Sequence, residues 1–513
     1  MFKLNQREKN STIGRKKIIM KKLFVLLIAL LMLLGPIGCS KPSGGGEEKS
    51  VITLDMSTLF IVPNLEATQK VEDQLNDYLE NTLHETFKVH LKITAISDYF
   101  QKIPMELASG GDDAPDVVQV FNMADWVNNG YILPLDDYLG KELKPTVDLI
   151  GNIIGSGKMA GHTYMMPRYF GTVLDWKFIY NKELVDKAGV DVTKATSIEN
   201  LGDVLAELKA AYPEEHFLVY CDQFNRLYAL LDHTAVVGSL TATVGDSTKL
   251  VNYYETDAYK NAINKAYEFR QKGYADPEGS ANTLSHDAVV MGGSSKGVIM
   301  GHSADTEGIA KMFTKTNTYG ATFGAVNIGI DDLSTDTLGI GIAHYCKDPA
   351  AAARFINLLY VDEFVWDTII YGAEGQDYVW NEDHTKVRYP DGLDFNSVPY
   401  NCVYSCGMIG NGFQGLEYET SDESGSDREY GKHLMEIAWC PPLYGFTPTT
   451  VNVMNEITAV SNVVDQYNKV LTYGDVDPAV EYPKFIEALK TAGIDKIVAD
   501  FQAQADEWYK QNH

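Results

Sequence analysis

Apolar residues follow two different spacings along this chain. In VITLDM and KVHLKITAI they recur as in strands, with Val89, Leu91 and Ile93 on one side. Between these runs, from Glu66 to Phe87, Val71, Leu75, Tyr78, Leu79 and Leu83 recur at helical spacing. A short helix to Leu107 stops at Ser-Gly-Gly-Asp-Asp-Ala-Pro, and DVVQVF follows as a third, continuously apolar strand. The order β-α-β-α-β predicts a parallel sheet with crossover helices. Ligands of such sheets gather beyond the carboxyl ends of the strands, which is where Asn122, Asp125 and Trp126 fall.

A second α/β unit follows. FGTVLDWKFIYN is extended, Lys182 to Ala188 is helical, and Ser197 caps a helix of about a dozen residues, with Asn200 three positions on. HFLVYCD reads as a buried strand, Tyr259 to Gly273 as a helix closed by glycine, and GVIMGH as another strand. Asp348 to Trp366 is predicted helical. So are Val451–Leu471, Tyr482–Ala492 and Ile494–Trp508, and no 20–50-residue repeat is visible.

The N-terminus carries a different pattern. Leu23 to Leu34 is unbroken apolar sequence behind Lys21 and Lys22, too short for a span of about 20 residues but suited to a signal-peptide core. It ends in Gly35-Pro36-Ile37-Gly38-Cys39-Ser40 and a polar, glycine-rich stretch. This resembles a bacterial lipoprotein signal, which implies lipidation of Cys39, a signal peptide over 1–38 and a flexible tether over 39–50. Pro36 departs from the Leu usual in such signals. Met20 would open a compact signal peptide by itself.

At 513 residues the chain has room for two or three domains, and its 45% hydrophobic, 22% charged composition excludes a disordered protein. A formal charge of −27 argues against nucleic acid, which needs a basic face. Cys221, Cys346, Cys402, Cys406 and Cys440 are odd in number and read as buried thiols; Cys402-x3-Cys406 lacks the further ligands of a zinc site. Enzyme signatures are absent: no HExxH, no GxSxG and no P-loop. One GxGxxG match, Gly410 to Gly415, neither closes a strand nor opens a helix, and the acidic loop Asp422–Asp427 lacks a calcium-loop order. No cofactor and no metal are expected.

Several segments together resemble the extracellular solute-binding proteins of ABC importers, family 1, the sugar-binding type. They include LASGGDDAPDVVQV, ADWVNNGYILPLDDYL, GKMAGHTYMMPRYF, FIYNKELVDKAGVD, YKNAINKAYEFRQKGYADP, KGVIMGHSADTEG and KDPAAAARFINLLYVDEFVWDTIIYGAEGQDYVW. The stretch from YGFTPTT to QADEW resembles the C-terminal region of a lipoprotein subgroup of that family. The resemblance implies an α/β, two-lobe, periplasmic-binding-protein-like clamshell, with parallel-rich sheets flanked by helices and two or three hinge crossings. FGTVLDWKFIYN would be the first crossing and GATFGAVNIG the second. Residues 51–172 and 326–365 are expected in the first lobe, 173–325 and 366–513 in the second. The implied partners are a small-molecule ligand, a membrane permease and, through the lipid, the outer face of the cell membrane, with the chain a monomer.

Sugars present apolar CH faces and rings of hydroxyls, so they are held by aromatic plates together with amides, carboxylates and Arg. Side chains of those kinds at strand ends and crossings make the candidate list. It comprises Asn122, Asp125, Trp126, Arg168, Tyr169, Asp175, Trp176, Asp222, Arg226, His302, Asp305, Glu374, Trp439, Tyr444 and Phe446. Arg168 and Asp175 could equally pair across the hinge, Asp305 could be a helix N-cap, and Trp366 reads as core. A peptide-binding protein, a secreted glycan hydrolase and a surface sensor for a membrane kinase stand as alternatives.

Overall fold

The computed structural model describes residues 49–512 except 59–62, 112–113, 171–172, 174, 219–223, 276, 282–298, 304–313, 315–321, 331–332, 334–337, 395–396, 403–408, 417 and 419–427. The expected signal peptide, Cys39, Cys221, Asp222, Asp305, Cys406 and the acidic loop at 422–427 therefore lie outside the described residues, as does most of the expected tether.

The chain opens with β1 (Ser50–Thr58), α1 (Leu65–Asn81), β2 (Phe87–Ala95), α2 (Ile96–Ser109), β3 (Val117–Val120) and α3 (Met123–Asn128). Asn64 caps α1 by accepting from the Ala67 amide at 2.9 Å, and Val71, Leu75 and Leu79 are buried on the face toward the sheet. The helix stops at Asn81, short of the expected Phe87. His84 takes φ 57° there and turns the chain, so that Phe87 opens β2 instead. After β4 (Met166–Pro167) the chain leaves this unit through β5 (Asp175–Asn181), α4 (Lys182–Ala188), α5 (Ile198–Ala211) and α6 (Phe224–Leu231). Ser197 caps α5 as expected, its hydroxyl accepting from the Asn200 amide at 3.2 Å.

Next come β6 (Thr234–Val237), β7 (Thr241–Val244), β8 (Val251–Asn252), α7 (Asp257–Gln271), β9 (Ile299–Ser303) and β10 (Phe323–Ile330). β11 (Gly339–Ile342) then leads into α8 (Pro349–Val361) and α9 (Glu363–Tyr371), followed by α10 (Arg428–Ile437), α11 (Met454–Thr472), α12 (Pro478–Ala492) and α13 (Ile494–Asn512). The single helix expected over 348–366 is two. Asp348 caps the first through the Ala351 amide, and Asp362 caps the second through the Val365 amide.

The fold is a two-lobe α/β clamshell. The first lobe holds a sheet in the order β2-β1-β3-β11-β4, with β1 parallel to β2 and β3, and β11 antiparallel to β3 and β4. The second lobe holds β9-β5-β10, antiparallel throughout, and the antiparallel set β8-β7-β6. Two cores fill the second lobe. One gathers Phe178, Leu205, Phe217 and Phe269 under α5–α7; the other gathers Tyr259, Phe446, Leu471, Phe485 and Phe501 among α7 and α11–α13.

The lobes divide the chain differently from the sequence-based boundaries. Residues 326–330 lie in β10, paired to β5 of the second lobe. Trp366, Ile369, Tyr400 and Tyr418 lie in the first core with Ile52, Leu75 and Ile340. Packing decides this: α9 carries on from α8 across the Asp362 cap and lays Trp366, 1% exposed, into the first core. The Gly410–Gly415 run serves that same ring. A Cβ at Gly415 would collide with the indole, and Trp366 Nε1 donates to the Ile409 carbonyl at 3.1 Å. The GxGxxG match is a packing site for Trp366.

Candidate functional site

A cavity of about 670 Å³ lies where the carboxyl end of β3 meets the second lobe. Phe121, Asn122, Met123 and Ala124 line it from the first lobe. The facing walls are Asn225, Arg226 and Ala229 on α6, the β6–β7 hairpin around Gly238 and Ser239, Tyr253, and the segment 441–448 with Tyr444 and Phe446. Its volume falls within the range of about 300–1,000 Å³ usual for small-molecule sites.

Asn122 stands at this place because β3 ends there and α3 needs a cap. Its side-chain oxygen accepts from the Asp125 amide at 3.1 Å, and its NH2 donates to the Asp125 carboxylate at 2.7 Å. On the opposite wall, burial pushes the Tyr253 hydroxyl above its ordinary range, while a hydrogen bond with Asn225 and the charge of Arg226 pull it back. Burial likewise pushes the Tyr444 hydroxyl up to about 12, and it donates to the Ile153 carbonyl of the first lobe at 3.4 Å. Both phenols are therefore uncharged at neutral pH and present an aromatic face beside a polar edge. Among the described lining residues, Arg226 carries the only formal charge and none is a carboxylate.

The two lobes also touch beside Tyr444. A Cβ at Gly155 would stand 3.2 Å from Tyr444 Cε1 and 3.4 Å from Gly445 Cα, and one at Gly445 would stand 3.2 Å from Gly155 Cα. Asn128 on α3 donates to the Thr450 hydroxyl at 3.2 Å.

Four of the expected site residues line the cavity: Asn122, Arg226, Tyr444 and Phe446. Asp125 sits one helical turn behind Asn122 and touches the site through it. Trp126 and Trp176, each 7% exposed, are taken into the cores of the first and second lobes. Trp439 is half-buried, its ring 4.5 Å from that of His233, and its carbonyl accepts from the amide of the lining residue Leu333. Tyr169 packs edge-on to Phe413 at 5.2 Å, and its amide donates to the Gly410 carbonyl, which turns it toward the first core. Arg168 follows β4, its amide bound to the Leu338 carbonyl, and Glu374 is exposed in a bridge with Tyr378; neither lines the cavity. Asp175 and His302 are placed by register alone, opposite Ser303 and Trp176.

The sequence reading missed Phe121, Asn225, Tyr253 and the Gly238–Ser239 turn. Phe121 was within reach, since it closes the DVVQVF run read as the third strand. Tyr253 carries no local signal that separates it from the core tyrosines around it.

A family model for the bacterial extracellular solute-binding protein matches residues 71–364. The chain belongs to that family. A second model, a domain of unknown function (DUF3502), matches residues 442–510, which are the C-terminal helices and the segment leading into them. This solute-binding protein is 24% identical over 451 residues, 82% of its chain and 85% of the relative, to a carbohydrate ABC transporter substrate-binding protein of Streptococcus pneumoniae. Its fold is similar to that of the N-glycan transport solute binding protein NgtS of Streptococcus pneumoniae, at TM-score 0.72 and 22% identity over 91% of this chain and 100% of that one. The NgtS structure in complex with Man5GlcNAc has the same coverage at TM-score 0.65. Among the described residues, no helix is long and apolar enough to cross a membrane and no His/Cys/Asp/Glu cluster could hold a metal.

Proposed function

We propose that this solute-binding protein is a lipid-anchored extracellular receptor that captures an oligosaccharide between its lobes and passes it, uncleaved, to the permease of an ABC importer. The observation that carries this reading is the cavity itself. It is walled from both lobes by Phe121, Tyr253, Tyr444 and Phe446, with Asn122, Asn225 and Arg226 between them. Flat rings suit the CH faces of sugars, and amides and guanidinium suit their hydroxyls, which must regain hydrogen bonds on leaving water. The carbohydrate relative and the glycan-bound NgtS structures support the same class of ligand. A glycosidase would instead need two carboxylates flanking the bond it cleaves, and recovery of the ligand tells the two readings apart. The anchor rests on the Gly38-Cys39 pattern after the apolar run.

The test is calorimetric titration of residues 49–513 with Man1GlcNAc, Man5GlcNAc, other oligosaccharides and peptides, followed by recovery of the ligand. A ligand held at a hundredfold excess over its Kd adds about 2.7 kcal/mol of stability, which thermal shift detects. Binding with intact recovery is the expected result. Cleaved glycan would make the protein an enzyme, and a response to peptides alone would overturn the ligand class.

A further inference from the structure

The C-terminal helix α13 does not line the cavity, yet it holds two pieces of the chain that do and the run that leads to a third, Tyr253. Gln504 grips the end of the segment 441–448 at three points. Its side-chain oxygen accepts from the Thr449 amide at 2.9 Å and from the Thr449 hydroxyl at 3.3 Å, and its NH2 donates to the Thr449 carbonyl at 3.0 Å. That pairing satisfies a donor and an acceptor of an otherwise irregular strap, as a neighbouring strand would. The same NH2 donates to Asp500, which in turn accepts from Asn452 at 3.1 Å, so the amide is fixed in orientation. Two residues earlier, Gln502 repeats the device on the run into β8. It accepts from the Leu250 amide at 2.6 Å and donates to the Thr248 carbonyl at 3.2 Å, just ahead of the cavity residue Tyr253.

Packing reinforces these grips. Phe501 and Trp508 lie at spacings of three and four residues from Gln504 and share its side of the helix. A Cβ at Gly238, in the hairpin turn that lines the cavity, would stand 2.7 Å from Phe501 Cε2 and 3.0 Å from Pro448 Cγ. Gly238 has φ 61°, so the turn and the ring fit only because that residue is glycine. Trp508 packs on Phe446, with ring centroids 5.9 Å apart. The strap and the hairpin turn, which supply cavity walls, and the run into β8 ahead of Tyr253 all reach one helix.

We propose that α13, within the region matched by the domain of unknown function, is the buttress that sets the shape of the ligand cavity, with Gln504 as a positioning residue acting through Thr449 on Tyr444 and Phe446. This rests on the reading of the cavity as the ligand site. Losing the Thr449 bonds removes three ordinary hydrogen bonds from the strap. Gln504→Leu is expected to weaken glycan binding about tenfold or more, equivalent to about 1.4 kcal/mol. Gln504→Glu should behave alike, because a carboxylate would face the Thr449 carbonyl and Asp500. Gln511→Leu is the control; on the same helix, Gln511 donates to Glu507 and to no other described residue.

Two readouts decide the matter: amide hydrogen exchange in the ligand-free protein, and titration with Man1GlcNAc and Man5GlcNAc. Faster exchange over 441–450 with unchanged β1–β3, together with weakened binding in the Gln504 variants only, would support the buttress. Unchanged exchange over 441–450, or faster exchange with affinities within twofold of the parent, would overturn it. If the unaltered protein binds neither these glycans nor any other oligosaccharide of the panel, the carbohydrate reading fails instead, and the exchange arm alone decides whether α13 holds the wall.

Discussion

Gly155→Ala separates the contact between the lobes from the stability of either lobe. The new methyl would sit 3.2 Å from Tyr444 Cε1 and 3.4 Å from Gly445 Cα, where carbon atoms prefer about 3.5–4.0 Å. Relief needs only a few tenths of an ångström, and parting the lobes supplies it. Overpacking of this kind costs about 1–3 kcal/mol while the contact is held. Charged against ligand binding, that is a loss of about 5–150-fold in affinity. Gly155 lies in the 3-10 turn Gly151–Gly157 and is not among the glycines with positive φ, so alanine meets no backbone strain there. Restricting the unfolded chain should even add about 0.4–1 kcal/mol of stability. The expected signature is thus weaker ligand binding by calorimetry, with a melting temperature of the ligand-free protein equal to or above that of the parent. A fall in melting temperature, or affinity within twofold of the parent, would refute the account of 155–445 as a contact that yields when the lobes part. Gly445→Ala is the contrast. Its φ of 90° strains any alanine, so stability should fall as well.

Other expectations follow from buried groups. Trp366→Ala should destabilise by about 3–5 kcal/mol in denaturant unfolding, because the ring fills the first core and its N–H satisfies the Ile409 carbonyl; a loss under about 1 kcal/mol would contradict that packing. Burial raises the pKa of Asp55 against the opposing pull of Lys92, the Thr94 hydrogen bond and Lys102, with Glu106 adding to the rise. The folded state therefore favours the neutral acid. That contribution is fully present below pH 3.8 and is lost as pH rises through the folded pKa, so the melting temperature of Asp55→Asn minus that of the parent should grow between about pH 4 and 7. A difference that shrinks over that range would count against it. The Thr243 hydroxyl lies buried beside the cavity with no hydrogen-bond partner among the described residues. Thr243→Val should be neutral or stabilising in thermal shift, and a drop of several degrees would mean that the hydroxyl is satisfied.

The first lobe was legible because its sequence repeats local signals. The Val71–Leu75–Leu79 stripe, the apolar DVVQVF run and the capping Asp348 each specify an element without help from distant residues. Asn122 was legible for the same reason: a capping amide directly after a buried strand marks both a turn and a strand mouth. Aromatic residues were not. Trp126 and Trp176 meet the needs of a sugar plate and of a core equally well, and neighbouring packing chose the core. The lobe of residues 366–418 was hidden because it depends on where α9 lies against β11 and α1, which no local pattern records. Gly410 and Gly415 matched a nucleotide motif only by spacing; what they accommodate is an indole.

The order β2-β1-β3-β11-β4 also bears on how the protein is made. β11 sits between β3 and β4 but enters the chain more than 170 residues after either. At about 5–20 residues per second of synthesis, the earlier strands wait roughly 10–45 s for the neighbour that completes their sheet. Until then β3 keeps one edge unpaired. The nascent first lobe cannot close around its core during that interval, whereas the second-lobe core of Phe178, Leu205, Phe217 and Phe269 draws only on chain made before β11.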